Sequence, residues 1–179
     1  MDRRFNRINY NKMKNSIIFS TILFLMIVIS CDKQEEKNLN KTNNQQEIAK
    51  VNEIMNTYKN TIQNLDTKNL EYLFSKNALV FESGSNEGTF GNYLSHHLAP
   101  ELKHFKSFNF SDYSINTKID LPYAFVNESY IYTIEIKGDK DKQIPERTIK
   151  KKGIATTILK KNYSKWKIIQ THTSSRNIR

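Results

Sequence analysis

The sequence predicts an α+β domain in which N-terminal helices pack on one face of an antiparallel sheet. Three observations carry this. Ile48, Val51, Met55, Tyr58, Ile62 and Leu65 recur at steps of three and four, the mark of one face of an amphipathic helix. From Ser107 onward the chain is dominated by long runs rich in Val, Ile, Tyr, Phe and Thr, which suit strands. Only short apolar clusters and turn formers lie between the two.

The chain opens on a targeting pattern. Arg3, Arg4, Arg7, Lys12 and Lys14 precede an apolar to weakly polar run from Ser16 to Ile29. That run is shorter than the roughly 20 residues of a comfortable membrane span and reads as a secretory signal peptide. Met13-Lys14-Asn15 is a more usual signal-peptide beginning than Met1. Val28-Ile29-Ser30-Cys31 resembles the lipobox of bacterial lipoproteins. The resemblance implies that residues 1–30 are removed and that Cys31, acylated, becomes the first mature residue, anchored in the bacterial cell envelope. An ordinary signal peptide and an uncut anchor are the alternatives. Cys31 is the only cysteine, so no disulfide can form within the chain.

The formal net charge is +10, of which residues 1–30, with five Lys or Arg and one Asp, carry +4. The remaining +6 is scattered among acids in strand ends and loops (Lys137 to Lys142, Lys150 to Lys152, Lys160 and Lys161). Export and this scatter argue against a nucleic-acid partner and leave anionic lipid headgroups as a possible contact. Residues 31–46 are almost free of apolar side chains and read as a flexible tether. Glu35-Glu36 resembles the tag that sends some lipoproteins to the cell surface. Residues 47–179 are the size of one domain.

Within that domain, Asp66 is placed to cap a short second helix with Leu70, Leu73 and Phe74 on its apolar side. Ala78 to Glu82 reads as a strand and Ser83 to Gly88 as a turn, with Gly84 and Gly88 structural. Phe90 to Leu98 fits a third helix, which Pro100 interrupts or follows with another turn near Phe105. Strands follow over Ser107–Lys118, Ala124–Lys137, Thr148–Lys160 and Trp166–Ser174. The last two are joined by a tight turn at Asn162-Tyr163-Ser164-Lys165. Trp166, Phe108 and Phe110 are assigned to the core.

This order, with Leu65-Asp66-Thr67-Lys68-Asn69-Leu70-Glu71-Tyr72-Leu73-Phe74, Ala78 to Glu82 and the final Trp166-Lys167-Ile168-Ile169-Gln170-Thr171-His172, resembles the NTF2-like or SnoaL-like family. It looks closest to a branch labelled only as a domain of unknown function. The resemblance implies a cone, a curved sheet wrapped around the first helix, with a pocket at its open end. It also implies a homodimer formed through the sheet. It does not imply one activity, since the fold hosts isomerases, dehydratases and plain binding modules.

The candidate site residues are polar groups expected inside that cone. Glu82 ends an apolar strand; His97 and Glu101 are four apart, although Pro100 disfavours a regular helix between them; His172 lies on the last strand. Acid–base chemistry would use Glu82 or His172 as base and Tyr93 or another histidine as donor. A metal would be held by His97 or His96, Glu101 and His172, a weak signal without recognised spacing. An anion pocket would use Arg176 and His172. No partner is apparent for His104, and no cofactor is named. The reading is a lipid-anchored domain binding a small ligand in its cone, with an enzyme using Glu82, His97 and His172 as the alternative. A convergence of Glu82 and His172 on one pocket would favour the enzyme; Phe and Tyr side chains filling the cone would favour a structural module.

Overall fold

A helix, α1, occupies residues 41–63 of the computed structural model, which describes residues 41–139 and 141–178. The signal peptide, Cys31 and most of the tether lie outside the described residues. Residues 41–46, assigned to the tether from composition, are already helical and exposed. A polar, Gln-rich stretch can extend a helix without an apolar face once packing has nucleated the turns behind it. Val51, Met55 and Ile62 of α1 are buried, while Ile54, Tyr58 and Leu65 pack beside them.

Asp66 does not cap an α-helix. Its Oδ1 accepts from Lys68 N at 2.8 Å, and Asn69 then adopts a left-handed backbone before a single 3-10 turn, Leu70–Leu73. Phe74, expected on that helix, instead opens strand β1 (Phe74–Glu82). The expected turn at 83–88 contains an additional edge strand, β2 (Ser85–Thr89), antiparallel to β1. Five residues rich in Ser, Asn and Gly carry no strand propensity of their own; pairing with the apolar strand beside them fixes their conformation.

Residues 90–104 form one winding segment: α2 (Phe90–Tyr93), a π-helical turn (Leu94–Leu98) and α3 (Ala99–His104). Pro100 does not interrupt it, because it sits in the first turn of α3, where its missing N–H breaks no α-helical bond. Strands β3 (Phe105–Asp120), β4 (Tyr123–Ile136), β5 (Arg147–Asn162) and β6 (Lys165–Asn177) follow, each slightly longer than its apolar run. The sheet order is β2-β1-β6-β5-β4-β3, with β1 parallel to β6 and every other pair antiparallel.

Alternation decides which side chains face α1. On β4 the inward row is Ala124, Val126, Glu128, Tyr130, Tyr132 and Ile134. On β5 it is Gly153, Ala155, Thr157 and Leu159, and β6 adds Trp166, Ile168 and, past an irregularity in register, Thr171. Trp166 is core, as expected; Phe108 and Phe110 are partly buried against the core in an aromatic group with Tyr130 and Tyr132. Polar bonds pin α1 to the sheet. Trp166 Nε1 donates to Glu47 Oε2 at 2.7 Å and Phe110 N to Gln63 Oε1 at 2.9 Å. This is the expected α+β arrangement of helices on a curved sheet.

Candidate functional site

Glu82 is the last residue of β1 and lies on the inward side, two and four residues beyond buried Val80 and Ala78. The winding segment runs across this end of the strand and delivers Tyr93, His97 and Glu101, while the β1–β2 hairpin turns back to deliver Glu87. His97 is the hub. Its Nδ1 is 3.2 Å from Glu87 Oε2, and its Nε2 is 3.4 Å from Glu101 Oε1 and 3.8 Å from Glu82 Oε2. The π-helical turn sets its direction: Ala99 N bonds to Leu94 O, five residues back, widening the winding where His97 sits. Such single π turns are frequent at functional sites.

The electrostatics favour imidazolium. Burial opposes charge on His97, but the hydrogen bond to Glu87 and the charges of Glu101 and Glu82 outweigh it, and its pKa is raised. Tyr93 packs against the imidazole with ring centroids 5.1 Å apart. Its phenol is held protonated well above its ordinary range, first by burial and then by the neighbouring Tyr58 and Glu82. Glu82 Oε2 is itself buried without a close hydrogen-bond partner, but the side chain is about a third exposed, faces His97 Nε2 at 3.8 Å and shares a hydrogen bond with the Tyr93 phenol. An orphaned carboxylate oxygen is costly.

A second acid faces the same interior. Glu128, on β4, has its pKa raised by burial, against the lowering effect of its hydrogen bond from the Tyr113 hydroxyl and of the Lys59 charge. Burial likewise raises Tyr58 and Tyr130, and each also feels the charges of Glu82 and Glu128. The cone interior thus holds two carboxylates among phenols.

Of the residues singled out from sequence, Glu82, Tyr93, His97 and Glu101 come together. His172 does not join them. It pairs in register with Phe81, one residue off Glu82, so it projects from the opposite side of the sheet. There it is exposed, meets the Phe81 ring edge-on, and borders a shallow pocket of about 250 Å³ with Gly84, Ser85 and Gln170. Arg176, four residues on, is exposed on that outer side and pairs with Lys152. His96 is exposed, with Nδ1 2.8 Å from Ser95 Oγ and 3.2 Å from Asn92 O. His104 is exposed, and its carbonyl accepts from Lys137 N.

The metal set of His97, Glu101 and His172 is therefore split between two sides of the sheet. Among the described residues no group of three or more His, Cys, Asp or Glu is arranged to hold a metal ion. Glu87 and Glu128 escaped the sequence reading. The signal for Glu128 was present: an acid at an inward position of the alternating row from Ala124 to Ile134. Glu87 had none, because its strand is made only by pairing.

The chain matches the model of the SnoaL-like domain over residues 51–177. Comparison with curated proteins found no match. Among solved structures it is similar to an NTF2-like superfamily protein from Salmonella enterica serovar Typhimurium, at 16% identity and TM-score 0.62, covering 78% of this chain and 94% of that one. It is also similar to a ketosteroid isomerase-like protein from Erwinia carotovora atroseptica (14% identity, TM-score 0.59, 74% and 98% covered). A conserved protein from Planctomyces limnophilus gives 12% identity and TM-score 0.63, with 75% and 99% covered. The fold is NTF2-like, and the chain belongs to the SnoaL-like domain family.

Proposed function

We propose that this SnoaL-like domain is carried on the cell envelope by lipid on Cys31 and binds a small organic ligand at the Glu82–Tyr93–His97 end of its cone. The observation that carries the binding site is the buried, unpartnered Oε2 of Glu82. A ligand hydroxyl or amine donating to that oxygen would satisfy it, and the Tyr93 phenol and the His97 ring would turn from their present partners, Glu82 for the phenol and Glu87 and Glu101 for the ring, to donate to a ligand carbonyl or carboxylate. Tyr58 and Tyr130, whose phenols feel the Glu82 charge, are the aromatic groups of the same interior that a ring would meet. The test is calorimetric titration of the full chain with hits from a thermal-shift screen of hydroxylated and keto-substituted ring compounds. The reading expects binding that Glu82→Gln weakens about tenfold or more, as losing a charged hydrogen bond implies. It fails if no compound binds, or if binding ignores Glu82.

A second reading, acid–base catalysis, is favoured by one specific feature: an ionisable carboxylate and a protonated phenol share the same site. Glu82 would remove a proton next to a carbonyl while Tyr93 donates to the oxygen. His172 takes no part in it. Solvent deuterium entering a bound ketone, and failing to do so with Glu82→Gln, separates catalysis from binding. A homodimer through the outer side of the sheet belongs to the same proposal on family likeness, and sedimentation equilibrium tests it.

A further inference from the structure

The three most exposed large apolar side chains among the described residues are Tyr163 (96%), Tyr72 (72%) and Leu121 (61%). All three lie at one end of the sheet. Leu121 is in the β3–β4 turn and Tyr163 in the β5–β6 turn, and Lys161 N donates to Pro122 O at 2.8 Å to hold the two turns side by side. Tyr72 joins them because its carbonyl accepts from Lys167 Nζ at the start of β6. Tyr123, also exposed, completes the cluster beneath the Lys160 ammonium, 5.6 Å from its ring centre.

This end carries a small positive excess of charge. Lys118, Lys160 and Lys165 are exposed around the apolar group, against the acids Asp120 and Glu71. Glu47 is already neutralised, by Lys161 Nζ at 2.7 Å and Lys50 Nζ at 2.7 Å. Exposed tyrosines and a leucine ringed by lysines combine what an interface of headgroups and acyl chains rewards: amphipathic rings and cations. Glu47 adds the positional argument. Through Trp166 and Lys161 it ties the start of the folded domain to this same end. The link to Cys31 spans at most about 40 Å, from the greatest reach of the nine residues 32–40 and the helical rise of residues 41–46.

We propose that this end, formed by Tyr72, Leu121, Tyr123 and Tyr163 with Lys118, Lys160 and Lys165, docks the domain on an anionic bilayer surface. The orientation rests on the lipid anchor proposed above. Docked this way, the domain lies against the membrane with the Gly138–Glu146 loop at its far end.

The experiment is amide hydrogen exchange by mass spectrometry on the full chain isolated from its membrane. It is measured on vesicles of phosphatidylcholine with about a third phosphatidylglycerol, and on phosphatidylcholine alone. Docking slows exchange several-fold over residues 118–123 and 161–165 on the anionic vesicles, leaves residues 138–146 unchanged, and is lost in L121S/Y163S/K165E. These residues are exposed, so that variant folds. Equal exchange on the two lipids, or protection of both ends alike, overturns the proposal. The mass of the Cys31 peptide in the same digest reports the anchor separately. Acylated Cys31 with unprotected turns sinks the docking alone; unmodified Cys31 with protected turns sinks the anchor alone.

Discussion

At the scale of single residues, two acids show how differently one side chain can be used. Glu47 has every oxygen engaged, and its pKa is lowered to about 2 by hydrogen bonds from Lys161 and Lys50, against the opposing effect of burial, with Trp166 adding to the lowering. A folded-state pKa below the unfolded one gives stability that is present above the unfolded value and lost as pH falls through the folded one. Glu47→Gln should therefore cost about 2 kcal/mol near neutral pH, allowing for partial solvent screening, with the difference from wild type shrinking between pH 4.5 and pH 2. Urea denaturation at stepped pH measures this. His97 runs the other way. Its raised pKa adds stability below the unfolded value that disappears as pH rises through the folded one. Its imidazole should titrate by NMR above its ordinary 6.5, and Glu87→Gln should bring the midpoint down by removing the bonded partner. An unchanged midpoint in that variant would remove Glu87 from the account.

At the scale of elements, what was legible in the sequence follows from what fixed each element. The α1 face and β3 to β6 declare themselves by period, because burial on one side imposes it. The β2 strand, the π turn and the smooth passage through Pro100 did not, because pairing and packing with neighbours determine them rather than local preference. The site suffers the same division. Glu82, Tyr93, His97 and Glu101 stood out as polar groups among apolar ones, whereas His172 was misplaced by one step of strand register, enough to send a side chain through the sheet. Register also explains Gly153. It lies opposite Tyr130, and a Cβ there would come within 2.3 Å of that ring, so the missing side chain lets the phenol lie flat in the cone. Gly153→Ala should destabilise by about 1–3 kcal/mol and displace Tyr130, read as a lowered urea midpoint and altered aromatic NMR shifts.

At the scale of the whole molecule, the two ends of the domain divide the work: one bears exposed tyrosines and lysines, the other end of β1 bears the Glu82 cluster. Radiolabelled palmitate should enter the wild-type chain and not Cys31→Ser; label in both, or in neither, would contradict the proposed anchor. The central claim, that Glu82 is kept for a ligand and not for the fold, makes a prediction different from that for a carboxylate kept for the fold. Replacing a satisfied structural carboxylate leaves its partners stranded and lowers stability. Replacing Glu82 with an apolar side chain relieves the burial of one oxygen but removes a charge facing His97 and the acceptor beside the Tyr93 phenol, so the two effects offset each other. The most direct measurement is the melting temperature of ligand-free Glu82→Met beside wild type. The account predicts no fall beyond about 2 °C, where a loss of about 1 kcal/mol would lower the melting temperature of a domain of this size by about 3–6 °C. A fall of about 3–6 °C or more would show that Glu82 holds the fold together and would contradict the site.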